Sequence, residues 1–340
     1  MRIGVNPQKK YRIAEVSYLQ QVIIPVYIPH HKAYFKDSFK ILRLCINSLV
    51  KTVHSATFIS IVNNGSCRDV RLYLQELVEE GKIQEVIHTS NIGKVNAVKK
   101  AFQGHNFPLI TVADADVLFL EGWQEATTTV FTSFEKAGVV GIVPQFKMFM
   151  SLSHNLLFDA FFSKKLRFTE VEEPAEMQNF YRSLGWDDDY KKIYLQRHLT
   201  ITAENNTRAV VGAGHFVATY RQECLHLMDK NPTSHKMGDI LMKNNFDTPV
   251  LKLGGWRLTT SGNFAYHMGN VFQEWMQQTV AALPDTPLAV PPPLNLLPLK
   301  ASRMEYFIKI KLFKKLMSYP LVYRFFIKNK GLDATAAKIY

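Results

Sequence analysis

Asp114 and Asp116 sit two apart, directly after the apolar run Leu109-Ile110-Thr111-Val112-Ala113. A β-branched, turn-bounded run of this kind predicts a buried strand. In extended backbone, residues i and i+2 share a face, about 6–7 Å apart at their Cα atoms. Both carboxylates can therefore converge on one ligand at the carboxyl edge of a sheet, where open α/β folds bind ligands. Carboxylates leaving a hydrophobic core are costly unless a cation or hydrogen bonds compensate them. No Lys or Arg stands between Lys100 and Lys136. A divalent metal is the simplest compensation, and a side chain from far along the chain is the alternative. An Asp-X-Asp triplet can also cap a helix or open a turn, so the surrounding elements have to decide.

The elements that would carry this pair alternate. Strands are predicted at 21–27, 57–62, 84–88, 109–113 and 139–144, with helices at 38–54, 69–80, 93–103 and 123–137. Phe39, Leu42, Ile46 and Leu49 line one face of the first helix. Strands alternating with helices of this length predict a mostly parallel, Rossmann-like sheet covered on both faces. From 145 to 208 the pattern gives way to segments rich in Phe and charge. A strand at 209–213 and a helix at 222–230 restore it. The expected organisation is an N-terminal extension (1–19), a nucleotide-binding α/β half (20–145) and an acceptor-side, catalytic half of the same domain (146–283). A proline-rich linker (284–299) and a basic aromatic tail (300–340) follow. No internal repeat is visible.

The composition bounds the function classes. With 340 residues, 47% hydrophobic and 21% charged, the chain can bury a full core and is neither disordered nor fibrous. Its three cysteines, Cys45, Cys67 and Cys224, are too few and too scattered for a disulfide framework or structural zinc site. They fit a reducing compartment. The first residues lack the apolar stretch of a signal peptide. The least charged stretch, Thr279–Leu299, holds six prolines, which a membrane helix would not carry. The expected location is cytoplasmic, soluble or peripheral to the inner face of a membrane. Of the formal charge of +12, residues 300–330 contribute +8, from nine Lys/Arg against Glu305. Charge gathered in a tail argues against a nucleic-acid groove across the main domain. It points instead to an anionic membrane surface reached through 300–330, with packing on the chain's own domain or on a partner subunit as the alternative.

Three more segments fall where a parallel sheet would bring them beside the aspartates. Pro25-Val26-Tyr27 closes the first strand, with Tyr27 able to stack on a base or ribose. Asn63-Asn64-Gly65-Ser66 closes the second. Asn91-Ile92-Gly93-Lys94 opens a helix, where free N–H groups and the Lys94 ammonium suit a diphosphate. Singly each is weak, Asn-Gly being above all a turn signal. Their order and spacing are more specific.

In that order and spacing the chain resembles glycosyltransferase family 2, enzymes of the GT-A fold, most closely over residues 20–145. The resemblance implies a nucleotide diphosphate sugar as donor, with Pro25, Tyr27 and Asn63 near the base, Asp114 near the ribose and Asp116 on the metal–diphosphate. Asn63-Asn64 stands where the family carries an Asp pair. That keeps hydrogen-bonding ability and loses charge, and it opens the choice of base, with uridine favoured over guanosine. Gly212-Ala213-Gly214-His215-Phe216 resembles the small-residue segment that approaches the donor sugar, glycines allowing close backbone approach. A dinucleotide fingerprint is its rival, and it lacks the third glycine. Gly238-Asp239 resembles the family's Glu-Asp segment with Gly in place of Glu, making Asp239 the candidate general base. His267, in Tyr266-His267-Met268-Gly269, resembles the histidine that completes the metal site. Carboxylate and imidazole suit Mn²⁺, with Mg²⁺ as competitor. Asp187-Asp188-Asp189 reads as a cap and solvated turn, with an acceptor contact as the alternative.

These implications describe a metal-dependent transfer of a sugar to an acceptor hydroxyl, with inversion ahead of retention, in the building of a surface polysaccharide or a lipid-linked glycan. Two rivals differ in class. A sugar nucleotidyltransferase would carry a Gly-rich basic loop after the first strand, where this chain reads Ile28-Pro29-His30-His31-Lys32. A catalytically silent nucleotide-sugar-binding scaffold subunit would recruit partners through the tail.

Overall fold

The alternation of side chains along the first strand organises the layers. In β1 (Gln20–Val26), Val22, Ile24 and Val26 join one hydrophobic cluster and Ile23 joins another, on the opposite face of the sheet. The first cluster is covered by α1 (Ser38–Thr52) through Ile41, Leu42, Cys45, Ile46 and Leu49, and by α2 (Arg68–Glu79) through Val70, Leu74 and Leu77. The second is covered by α3 (Lys94–Phe102) through Val95, Val98 and Phe102. Helices thus lie on both faces, as the alternating pattern predicts. This is a computed structural model, and it describes residues 4–6, 9, 18–285, 288–292 and 294–340. Most of the extension expected over 1–19 lies outside the described residues, as do 286, 287 and 293 of the linker.

The strands that follow are β2 (Thr57–Asn64), β3 (Glu85–Thr89), β4 (Leu109–Ala113), β5 (Val117–Phe119), β6 (Ala137–Gly141) and β7 (Leu166–Glu170). After them come β8 (Arg197–Thr202), β9 (Arg208–Val211), β10 (Val217–Arg221), β11 (Trp256–Thr260) and β12 (Ala265–His267). Ten form one sheet in the order β3-β2-β1-β4-β10-β6-β11-β9-β8-β7, and β5 pairs with β12 alone. Strands β3, β2, β1 and β4 are parallel. Antiparallel β10 sits between β4 and β6, β6 and β11 are parallel, and the far edge is antiparallel. The second half of the chain therefore completes the sheet that the first half begins. The fold is α/β, of the GT-A type.

Three elements depart furthest from their predicted bounds. Helix α4 (Trp123–Ser133) stops four residues short, because Phe134 turns the chain and the Ala137 N–H donates to its carbonyl at 2.8 Å. β6 then starts early: Gly138 must pack on Val250 and Gly255, where a Cβ would lie 2.7 Å from Val250 Cγ1. The helix expected at 222–230 holds only over Gln222–Leu225, after which Leu227 and Met228 N–H groups bond three residues back.

The tail packs on its own chain. Phe313, Met317, Phe326, Ile327 and Tyr340 enter a third cluster with Phe149, Phe168 and Leu199 beside β7 and β8. The linker is pinned at both ends: Lys51 Nζ donates to Leu283 O at 3.1 Å, and Leu299 N–H to Glu223 Oε1 at 3.0 Å.

Candidate active site

The carboxyl end of β4 is tied down on both sides of the aspartates. The Asp114 N–H donates to Phe216 O at 2.7 Å, just before β10, and the Met268 N–H donates to Asp116 O at 2.8 Å, just after β12. The β5–β12 pairing sets His267 opposite Val117. That register delivers the imidazole to the neighbouring carboxylate, with His267 Nε2 3.4 Å from Asp116 Oδ2. A short strand about 150 residues downstream thus reaches the triplet through backbone pairing.

The two carboxylates have different partners. Asp114 Oδ1 receives the Lys94 ammonium. The compensating cation is therefore a distant side chain for Asp114, the alternative left open by the sequence. Asp116 has no such lysine, and its Oδ1 is buried without a hydrogen-bond partner. Burial pushes the Asp116 carboxyl up to about 6; His267 and Lys94 oppose the shift, and the Asp114 charge adds to it.

His267 is oriented from behind. The Ser183 hydroxyl donates to Phe180 O at 2.6 Å, and Ser183 Oγ lies 2.9 Å from His267 Nδ1. With its one proton directed at the carbonyl, Oγ accepts from Nδ1–H. Nε2 is then left with its lone pair toward Asp116. Two acceptor atoms facing each other, one beside an orphaned carboxylate oxygen, suit a shared cation. Oxygen and imidazole donors fit Mn²⁺ or Mg²⁺. Among the described residues no group of three or more His, Cys, Asp or Glu side chains could cage an ion, so further ligands would have to come from a bound molecule.

A cleft of about 510 Å³ opens on this corner. Its wall includes Pro25, Tyr27, Lys94, Asp114, Asp116 and His267, all expected at the site. Tyr27 is 40% exposed, its ring edge-on to Phe35 with centroids 5.8 Å apart. A second cleft, of about 1040 Å³, shares Asp116, His267, Tyr34, Gly269 and Asn270 with the first. The aspartate–histidine corner thus stands where the two clefts meet.

Other expected residues lie outside the wall. Asn63 is buried in the turn, its Oδ1 accepting from Ser66 N–H at 2.9 Å and its amide 3.0 Å from His88 Nδ1. Its neighbour Asn64 lines the cleft instead, and its Oδ1 accepts the Ile92 N–H at 2.9 Å. Gly212 and Gly214 pack against Met148 and Gln145: a Cβ on Gly212, at φ +108, would lie 2.5 Å from Met148 Cβ. They are held by Thr259 Oγ1, donating to Gly212 O at 2.7 Å, and by Arg257. Arg257 in turn pairs with Asp247 at 2.9 Å, both fully buried, and Asp247 holds His215 Nε2 at 2.7 Å. Asp239 begins the short helix Asp239–Met242, is exposed, and follows Lys236 and Met237, which do line the cleft. The Lys94 N–H is taken by Lys236 O at 3.0 Å, closing the 236 loop over the start of α3. Asp188 of the acidic triplet pairs with Arg182 on the surface.

Sequence reasoning missed Tyr34, Asn91, Lys236 and Ser183. Asn91 lay inside a motif already singled out. The others carry no local signal, Ser183 being 84 residues from the histidine it orients.

No curated protein matches this chain. Among solved structures, a mannosyltransferase from Pyrobaculum calidifontis, in complex with GDP-Man and Mn²⁺, is similar at 12% identity and TM-score 0.44, over 97% of this chain and 82% of that one. TarS of S. aureus is similar at 13% and TM-score 0.42, over 78% of this chain and 42% of TarS. GalNAc-T7, with UDP, GalNAc and Mn²⁺, is similar at 12% and TM-score 0.43, over 74% of this chain and 44% of that one. At these scores no residue role passes from them to this chain. The family model described as Glycosyl transferase family 2 matches residues 22–195, more than half of the chain, including most of β1 and all of β2 to β4 with the Asp114–Asp116 corner. By that match the chain belongs to glycosyltransferase family 2.

Proposed function

We propose that this glycosyltransferase moves a sugar from a nucleotide diphosphate sugar, a UDP-sugar first, to an acceptor hydroxyl in a metal-dependent and inverting reaction that builds a surface polysaccharide or a lipid-linked glycan. The observation that carries the reading is the Asp116–His267 corner at the meeting of two clefts, where Asp116 Oδ1 is buried without a partner and His267 Nε2 lies 3.4 Å from Asp116 Oδ2. Asp116 and His267 would hold Mn²⁺ or Mg²⁺. When bound, the ion supplies Lewis-acid neutralisation of charge on the departing diphosphate.

The chain's own groups account for the rest. Tyr27 offers a ring face to the base in a cleft that Pro25 and Asn64 also line, with Asn63 holding the turn behind Asn64. Asp114, held by Lys94, is placed for ribose hydroxyls, and the Lys94 ammonium adds positive charge at the diphosphate end of the cleft. Gly212 and Gly214 set the course of the segment behind the donor sugar. Asp239 takes the acceptor hydroxyl proton as the oxygen bonds to the anomeric carbon, and the carbon–oxygen bond to the diphosphate breaks with its electrons on the leaving group. A carboxylate in that role contributes about 10²–10⁴-fold. Among the described residues no helix is long and apolar enough to cross a membrane. The reducing environment suggested by three free cysteines fits a cytoplasmic enzyme.

The test is a screen of UDP- and GDP-sugars with Mn²⁺, following release of the nucleoside diphosphate, with Asp116→Ala as control. Release that needs Asp116 supports the reading. Pyrophosphate release from a nucleoside triphosphate, or nucleotide binding without turnover, overturns it in favour of the nucleotidyltransferase or the silent scaffold. NMR of the product linkage decides inversion against retention.

A further inference from the structure

We propose that the outer face of the tail helix at 303–317 is a docking surface for an anionic lipid bilayer. The helix starts at a capping box, Ser302 Oγ accepting the Glu305 N–H and Glu305 accepting the Ser302 N–H. Ile310, Phe313 and Met317, at i, i+3 and i+7, are buried, so one face is spent on the protein's own core. The opposite face is not polar. Met304 is 71% exposed, Phe307 54% and Leu312 51%, with Ile308 and Leu316 filling the row. A helix that packs one apolar stripe and leaves a second in solvent has a use for the second.

Charge decides what covers it. Lys311, Lys314 and Lys315 are exposed beside this row and make no ion pair among the described residues, whereas Lys309 on the same helix holds both Asp159 and Glu305. The unpaired three gather with Lys243 around a groove of about 330 Å³. Lysines crowded together without acids raise the local potential, and an anionic surface relieves it. A bilayer interface accepts both features, apolar tips at the acyl boundary and ammonium groups among phosphates. A second copy of the chain would set one such cluster against another, since residues 300–330 carry nine Lys/Arg and a single acid. The next helix repeats the pattern: Leu321 and Phe325, one turn apart, are exposed near Arg324 and Lys328.

A regular helical wheel hides this surface. Residues Phe307–Leu312 are π-helical, and the wider turn shifts every later side chain relative to the 3.6-residue period.

The test is vesicle flotation of the full chain with phosphatidylcholine alone and with phosphatidylcholine plus phosphatidylglycerol. Binding to the anionic vesicles, weakened by salt, is expected. The triple variant Lys311→Glu/Lys314→Glu/Lys315→Glu should lower that binding roughly tenfold or more, three ammonium groups having become carboxylates. Phe307→Ser/Leu316→Ser should weaken it too, with thermal melts of both variants close to the parent's. Equal binding to neutral vesicles, or anionic binding indifferent to the charge reversal, overturns the proposal. So does absence of vesicle binding, whether the chain then runs as a dimer or captures an acidic protein. The measurement needs no turnover, so it stands or falls separately from the transfer reaction.

Discussion

Ser183→Ala removes one hydroxyl and should act on metal affinity far more than on stability. In the structure that hydroxyl spends its proton on Phe180 O and accepts from His267 Nδ1, which leaves Nε2 as the free nitrogen beside Asp116. Without it nothing distinguishes the two tautomers, and the ring can turn. A part-buried hydrogen bond is worth about 0.5–1.5 kcal/mol to folding, so the melt should move little. An orienting partner of a ligating histidine is worth about 10–100-fold in metal affinity, or about 1.4–2.7 kcal/mol. Mn²⁺ titration by electron paramagnetic resonance, in the presence of UDP, reads the affinity. ¹⁵N NMR of the imidazole reads the tautomer, expected Nδ1–H in the parent and mixed in the variant. Ser183→Thr keeps the hydroxyl and should restore both. Unchanged Mn²⁺ affinity in Ser183→Ala, with the tautomer also unchanged, would falsify the account of how His267 is held.

Three further outcomes follow from the same coordinates. Asp247→Ala should cost about 3–5 kcal/mol in denaturant unfolding, because it strands the buried Arg257 guanidinium and releases His215; a loss below 1 kcal/mol, on the order of a surface change, would refute that. Gly93→Ala should destabilise by about 1–3 kcal/mol, since Gly93 has φ +85 and a Cβ would lie 2.8 Å from Lys236 Cα; weaker donor binding should accompany it as the 236 loop moves. Burial lowers the His198 imidazole to about 4, and burial with Lys314 lowers that of His154 to about 4. The unfolded chain then binds protons that the folded chain refuses, so this stability is intact above about pH 6.5 and is lost as pH falls toward 4, at most about 3 kcal/mol per histidine. His198→Leu should flatten the melting temperature between those limits, and an unaltered slope would count against it.

The first half of the fold was legible because local pattern and tertiary role coincide there. β4 has the predicted bounds, and β1, β2, α1 and α3 differ by a residue or two. Each is a buried strand or one-faced helix whose period shows in its own residues. β10 and β12 were not legible. β10, as long as β4, lies antiparallel between β4 and β6 and so falls outside the strand–helix alternation. β12 has three residues and exists through its pairing with β5. Strands placed in this way are made by their neighbours, and no window of sequence contains the neighbour.

The chemistry divides in the same way. Residue types and order along the chain already marked the Asp114–Asp116 pair, Tyr27 and Lys94 as candidates, because carboxylate spacing and strand ends are local properties; His267 came only from the resemblance to glycosyltransferase family 2. Only the tertiary structure decided how the two aspartates differ. Lys94 arrives from the start of α3 and neutralises Asp114. His267 arrives on β12, turned by Ser183, and leaves Asp116 with an oxygen unpaired. A charge is compensated by whatever group lies within a few ångströms, and which group that is depends on how strands pair across the sheet rather than on order along the chain.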